Sequence, residues 1–368
     1  MTIRIALQQK VTSIVKLRGK KFSLSRNFWN ISKILLILLC GILFFSCTKR
    51  TEFDVSEYNL SGLYTSKPLV LALLSSGSAL NIKTGVTVPA FEQNENAAQT
   101  IIANGFIQEK NGSVYSLIPD TITNNSYITT LIPEEGGIYS VHLEFPGISG
   151  LPLTATDTVP FVSAIQSTER TPNAKRVDDN FLTLIRMGIQ PPESEKTSFY
   201  EITVITQITD SILPNGYLLD SAMQQPGFAY LTSDDPMISG ENYYPSVLQL
   251  DAFPPQQLYF KKEHGAKKFY VEFYYDPPSI TTTSISEKGE QNTTSHLFSH
   301  KAMVVLKTVS RSYYRYHTSR LVQFYSREGD ALYGAGEPVN VFSNIQNGVG
   351  IFAASCSDTT SILVNNPQ

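Results

Sequence analysis

Ile138-Tyr-Ser-Val-His-Leu-Glu-Phe145 sets Tyr139, Val141, Leu143 and Phe145 against Ser140, His142 and Glu144 in strict alternation. A period of two puts one face on a core and the other in water, the form taken by a half-buried antiparallel strand. The turn signal Glu134-Glu135-Gly136-Gly137 precedes it. Working outward, further strands are expected at 68–74, 100–108, 113–118, 127–132 and 151–156, punctuated by Asn111-Gly112, Pro119-Asp120, Asn124-Asn125 and Pro146-Gly147. Many short strands between Gly, Pro and Asn turns indicate a β-sandwich.

Past Ala164 the chain turns polar, with Glu169, Arg170, Lys175, Arg176, Asp178 and Asp179 in close succession, and 166–180 reads as a linker. Strand patterns resume at 181–189, 200–204, 269–275, 303–309 and 351–354. The Ser- and Thr-rich insertion 277–295 has little to bury and reads as a mobile loop. One helix is expected, Val309 to Phe324, in which Tyr313, His317, Leu321 and Phe324 form a single apolar stripe. The expected fold class is mainly β: two sandwich-like domains, 67–165 and a larger 181–368 that carries the amphipathic helix near its C-terminus.

Eight basic residues and no acidic one precede Cys47; the remainder holds 21 basic against 32 acidic residues, a balance of about −11. A nucleic-acid partner needs a clustered basic surface, which this balance disfavours. Of the three cysteines, Cys40 lies in an apolar run, Cys47 ends it and Cys356 stands alone, so no disulfide framework is available. Cys356 sits in an apolar stretch and reads as a small core residue rather than a nucleophile.

Residues 34–45 are continuously apolar, follow Arg26 and Lys33, and run into Ser46-Cys47. A basic region, a short apolar region and a small residue make a signal segment, too short for the roughly 20 apolar residues of a spanning helix. The stretch Leu43-Phe44-Phe45-Ser46-Cys47 resembles the lipobox of bacterial lipoproteins. That resemblance implies a signal peptide over 1–46, cleavage before Cys47, its lipidation, and a tether over 47–66. The alternatives are an ordinary secretory signal or an N-terminal membrane helix.

Gly137, Tyr139 and Val141, followed by Ala155-Thr-Asp-Thr-Val-Pro160, resemble the close of an N-terminal Ig-like domain. The run Glu337-Pro-Val-Asn-Val-Phe-Ser-Asn-Ile-Gln-Asn-Gly-Val-Gly-Ile-Phe-Ala-Ala354, after the Tyr-rich segment 310–316, resembles the family called domain of unknown function 4249, lipoproteins common in Bacteroidota. The family's Asp-x-x-x-x-Gly-Lys run appears here only as 251–257. The resemblance implies an outer-membrane lipoprotein of the cell envelope, encoded near TonB-dependent transporters, and no reaction. Asn347-Gly348 with Gly350 also has its own reading, a tight turn ahead of a strand.

The histidine pair His296 and His300 lacks companions for a zinc set, with His142, His264 and His317 scattered. Asp178-Asp179, Asp234-Asp235 and Glu134-Glu135 sit in turn-like settings without the alternating oxygen ligands of calcium loops. No nucleophile elbow, phosphate loop or dinucleotide fingerprint occurs. The expectation is a non-enzymatic accessory or binding lipoprotein without cofactor, tethered to the outer membrane through Cys47 and partnered by a transporter. The alternative is glycan or peptide capture by exposed tyrosines among Tyr243-Tyr244, Tyr274-Tyr275, Tyr313-Tyr314 and Tyr316.

Overall fold

The computed structural model describes residues 65–88, 103–148, 150–177, 180–193, 197–210, 224–239, 256–263, 267–285, 291–333 and 340–365. The alternating segment is β7 (Ile138–Glu144), and Tyr139, Val141 and Leu143 are buried as its period requires. It lies between β3 (Asn104–Glu109) and β8 (Leu153–Thr158), with β4 (Val114–Ser116) completing a four-stranded sheet. Against this sheet pack β1 (Pro68–Ser75) and β2 (Asn81–Val86), then β6 (Ser126–Ile128) and β5 (Ile118–Pro119). Val70, Ala72, Leu74 and Ile82 meet Ile107, Val141 and Leu153 in one core.

The sheet that holds β1 does not stop there. Through β19 (Val349–Val364) it continues into β18 (His300–Val309), β11 (Thr197–Ile208), and, side by side on the far edge of β11, β12 (Gly227–Phe228) and β14 (Gln257–Glu263). A facing sheet of β13 (Leu231–Thr232), β15 (Phe269–Tyr275), β10 (Asn180–Gln190) and β9 (Ala164–Val177) closes a second core around Ile185, Val204, Val271 and Leu306. The chain is therefore mainly β, two sandwich-like layers built on one shared nine-stranded sheet.

β19 joins the halves. Leu69–Ser75 pair with it in parallel over Val349–Ser355, and Val309–His300 pair with it antiparallel over Ser355–Val364. Its first half is buried on both faces: Phe352 and Ala354 enter the first core, while Ile351 and Ala353 lie under a helix. Asn347 (φ 60°) and Gly350 (φ 116°) take the positive dihedrals read from the Asn-Gly signal. At Gly350 a Cβ would fall 1.9 Å from the Val70 carbonyl oxygen, so only glycine lets these strands approach.

Three expectations are corrected. The stretch 166–180 is no linker: over Gln166–Val177 it belongs to β9, an edge strand paired with β10, and its charges discourage the open edge from pairing with another chain. The insertion 277–295 is no loop but a hairpin, β16 (Ser279–Ile285) with β17 (Gln291–Leu297), where threonine favours the extended backbone without apolar alternation. The helix runs further than its stripe, Arg311–Tyr333. A one-turn helix α1 (Pro236–Ser239) precedes it, so the long one is α2. Among the described residues no helix is long and apolar enough to cross a membrane.

Candidate functional site

The most unusual chemistry among the described residues lies between α2 and the outer face of the shared sheet. Along β11, Tyr200, Ile202 and Val204 enter the second core, which turns Phe199, Glu201 and Thr203 toward the helix. Register sets Tyr259 of β14 and Lys307 of β18 directly beside Glu201. Glu201 is 1% exposed.

Its Oε1 accepts from Lys307 Nζ at 2.6 Å and from Thr203 Oγ1 at 3.5 Å, and its Oε2 accepts from Tyr313 Oη at 2.7 Å. Burial alone would raise the carboxyl, but the Lys307 charge and the hydrogen bonds from Lys307 and Tyr313 outweigh it and hold Glu201 below the ordinary carboxylate range. Burial and then the Glu201 charge push the hydroxyls of Tyr259 and Tyr313 far up, so both remain protonated. His317 stacks on Tyr313 with centroids 4.2 Å apart, and its buried Nε2 has no hydrogen-bond partner. Burial pushes that imidazole down to about 4, leaving it neutral at ordinary pH.

The cluster fastens a helix. The Glu201 carboxylate, the Lys307 ammonium and the Tyr313 hydroxyl are spent on one another, and the bond from Tyr313 ties α2 to the centre of the sheet. At the start of α2, Ser310 Oγ accepts from Tyr313 N–H at 3.2 Å and Ala354 N–H at 3.3 Å and donates to Asp157 of β8. Burial raises Asp157 to about 6 despite that bond.

The residues singled out from sequence fall as follows. Cys47, the signal segment, Tyr243-Tyr244, Asp178-Asp179, the 251–255 part of the family-like run and the side chain of His296 lie outside what is described. His300 is buried in the second core, its Nε2 2.9 Å from Tyr275 Oη and its Nδ1 2.8 Å from Phe298 O, and burial lowers it. His142 stacks on Phe106 at 4.8 Å. Asp234 pairs with Lys175 at 2.8 Å, Asp235 accepts from Met237 N–H at the start of α1, and Glu135 accepts from Val162 N–H and from Cys356. Burial, then that contact with Glu135, pushes the Cys356 thiol up to about 11. Tyr275, Tyr313 and Tyr314 are buried and so cannot stack on a sugar in this conformation.

No group of three metal-ligating side chains occurs among the described residues. The run 343–348 is a fastening: Asn344 donates to Phe352 O and accepts from Phe352 N–H, Gln346 bonds Thr154, and Asn347 donates to Pro152 O. Sequence reasoning missed Glu201 and Lys307. Their signal was a single charge inside each apolar strand run, Tyr-Glu-Ile and Leu-Lys-Thr.

A family described as a domain of unknown function, DUF4249, matches residues 50–361. No curated protein matches the chain. Among solved structures, a DUF4785 family protein from Legionella pneumophila aligns at 8% identity and a TM-score of 0.23, over 66% of this chain and 52% of that one. The alignment thus spans about half of that protein, and a likeness so faint carries no argument.

Proposed function

From the premise that the chain belongs to the DUF4249 family, we propose a cell-envelope lipoprotein, acylated at Cys47, that serves as a non-enzymatic accessory of an outer-membrane transport system. The observation that carries the reading is the order basic region, apolar run 34–45, Ser46, Cys47, which resembles a lipobox. The buried cluster at Glu201 is in keeping with it, since the carboxylate is taken up by Lys307 and Tyr313 in seating a helix.

Mass spectrometry of protein purified from membranes is expected to give an N-terminal Cys47 carrying acyl chains. A Cys47 still joined to Ser46 would sink the anchor. Affinity capture of the intact lipoprotein from detergent-solubilised membranes is expected to bring down a TonB-dependent transporter. Repeated recovery without one would end the accessory reading.

A further inference from the structure

We infer that the outer face of the sheet holding β9, β10 and β15 binds an uncharged saccharide, one pyranose ring lying against Tyr270 and its hydroxyls meeting Arg186, Lys268, Glu169 and Glu272. Neither Cys47 nor a transporter is needed for this binding, which goes beyond the accessory reading.

On β15, Phe269, Val271, Phe273 and Tyr275 enter the second core, so strand alternation sends Tyr270, Glu272 and Tyr274 to the opposite face. Register lays β10 and β9 beside them. Tyr270 opposes Gly188, which opposes Ser167, and Glu272 opposes Arg186, which opposes Glu169. Tyr270 is 43% exposed, the one exposed tyrosine among the described side chains.

Glycine inside a central strand gives up side-chain packing and marks a place where something approaches the backbone closely. A Cβ on Gly188 would fall 2.6 Å from Ser167 Oγ, 2.8 Å from Lys268 Cε and 3.1 Å from Tyr270 Cε1. The missing side chain thus seats the Lys268 stem and the Tyr270 ring against the sheet. The Lys268 ammonium stands 5.0 Å from the centre of that ring and the Arg186 guanidinium 4.7 Å, so two cations flank one exposed aromatic.

Tyr274, on the same face, shows the contrasting case. Its cation, Lys175, 5.1 Å from the ring, is taken up by Asp234 at 2.8 and 2.9 Å. At Tyr270 the polar groups are not taken up. Arg186 stands 3.6 Å from Glu272 and 3.9 Å from Glu169, too far for a hydrogen bond to either, and Lys268 pairs with no carboxylate among the described residues. Of the other exposed rings, Phe161 and Phe228 have no cation beside them among the described residues, and Phe181 has Arg176 alone, at 5.6 Å.

Unused donors and acceptors therefore surround one exposed ring, and their two positive and two negative charges cancel. An acid or a base would meet as much repulsion as attraction there. A pyranose fits, because each hydroxyl both donates and accepts while the C–H face of the sugar covers the ring.

Full-length protein, purified from membranes in a detergent without a sugar head group, is run through native gels cast with laminarin, xylan, galactomannan or dextran, and with the acidic polygalacturonate. Retardation by at least one of the four neutral polysaccharides is expected. Tyr270→Ala and Arg186→Ala should each weaken it roughly tenfold or more, Tyr270→Phe should retain it, and Tyr274→Ala should leave it unchanged. Retardation by none of them, by polygalacturonate alone, or equally with and without the Tyr270 ring overturns the proposal. Thermal melts of each variant separate lost binding from lost folding, and if Tyr270→Ala melts early, Tyr270→Thr, which suits a strand but has no ring, decides in its place. Failure here leaves the acylation of Cys47, read by mass, untouched.

Discussion

At the scale of single residues, Glu201 and Asp157 are carboxyls in opposite circumstances. Glu201 is buried but paired, so its folded pKa is lowered, and its contribution is complete above the ordinary carboxyl range and lost as pH falls through the lowered value. Removing the cation should therefore be costly: Lys307→Met strands the charge and is expected to destabilise by about 3 kcal/mol, at the low end for a broken buried pair because Lys307 is 32% exposed. Joining it to Glu201→Gln should recover most of the loss, and urea melts of the three variants test this. Asp157 is raised to about 6, so the fold favours its protonated form. Its effect has the reverse sign: stability is full at acid pH and declines as pH rises from the ordinary carboxyl value through about 6. Asp157→Asn, which keeps an acceptor for Ser310, should raise the melting temperature at pH 8 and change it little at pH 4.

At the scale of elements, β19 is the most constrained strand. Gly350→Ala meets the Val70 carbonyl and a dihedral that L side chains avoid, so a loss above about 3 kcal/mol is expected by denaturant titration. Asn344→Ala removes both bonds to Phe352 and should cost about 1–3 kcal/mol, with faster amide exchange at Phe352 as the local reading. Legibility differed between elements for physical reasons. β7 was plain because one face meets a core and the other meets water. The stripe Tyr313, His317, Leu321 announced α2, but its end was invisible because the polar residues 325–330, with Gly329 among them, break the apolar repeat while backbone bonding continues. β9 and the hairpin of β16 and β17 have too little apolar content to be seen as strands. Glu201 and Lys307 were legible only as anomalies, since nothing local says that strands 106 residues apart align them.

For the whole molecule, the two halves share a sheet and cannot be cut apart at 166–180. A fragment spanning 67–165 lacks Phe352 and Ala354 and the strand that covers β1, so it is expected to bind a hydrophobic dye and to show little amide protection, unlike the full body. A protected, cooperative fragment would refute the shared-sheet architecture. The parallel pairing of Leu69–Ser75 with Val349–Ser355 also orders events in time. The partner of the first strand is made some 280 residues after it, so the N-terminal layer stays open until that distant segment has emerged. A chain with that dependence keeps its first layer pliable through most of its synthesis, and the two sandwiches close in a single late step rather than one after the other.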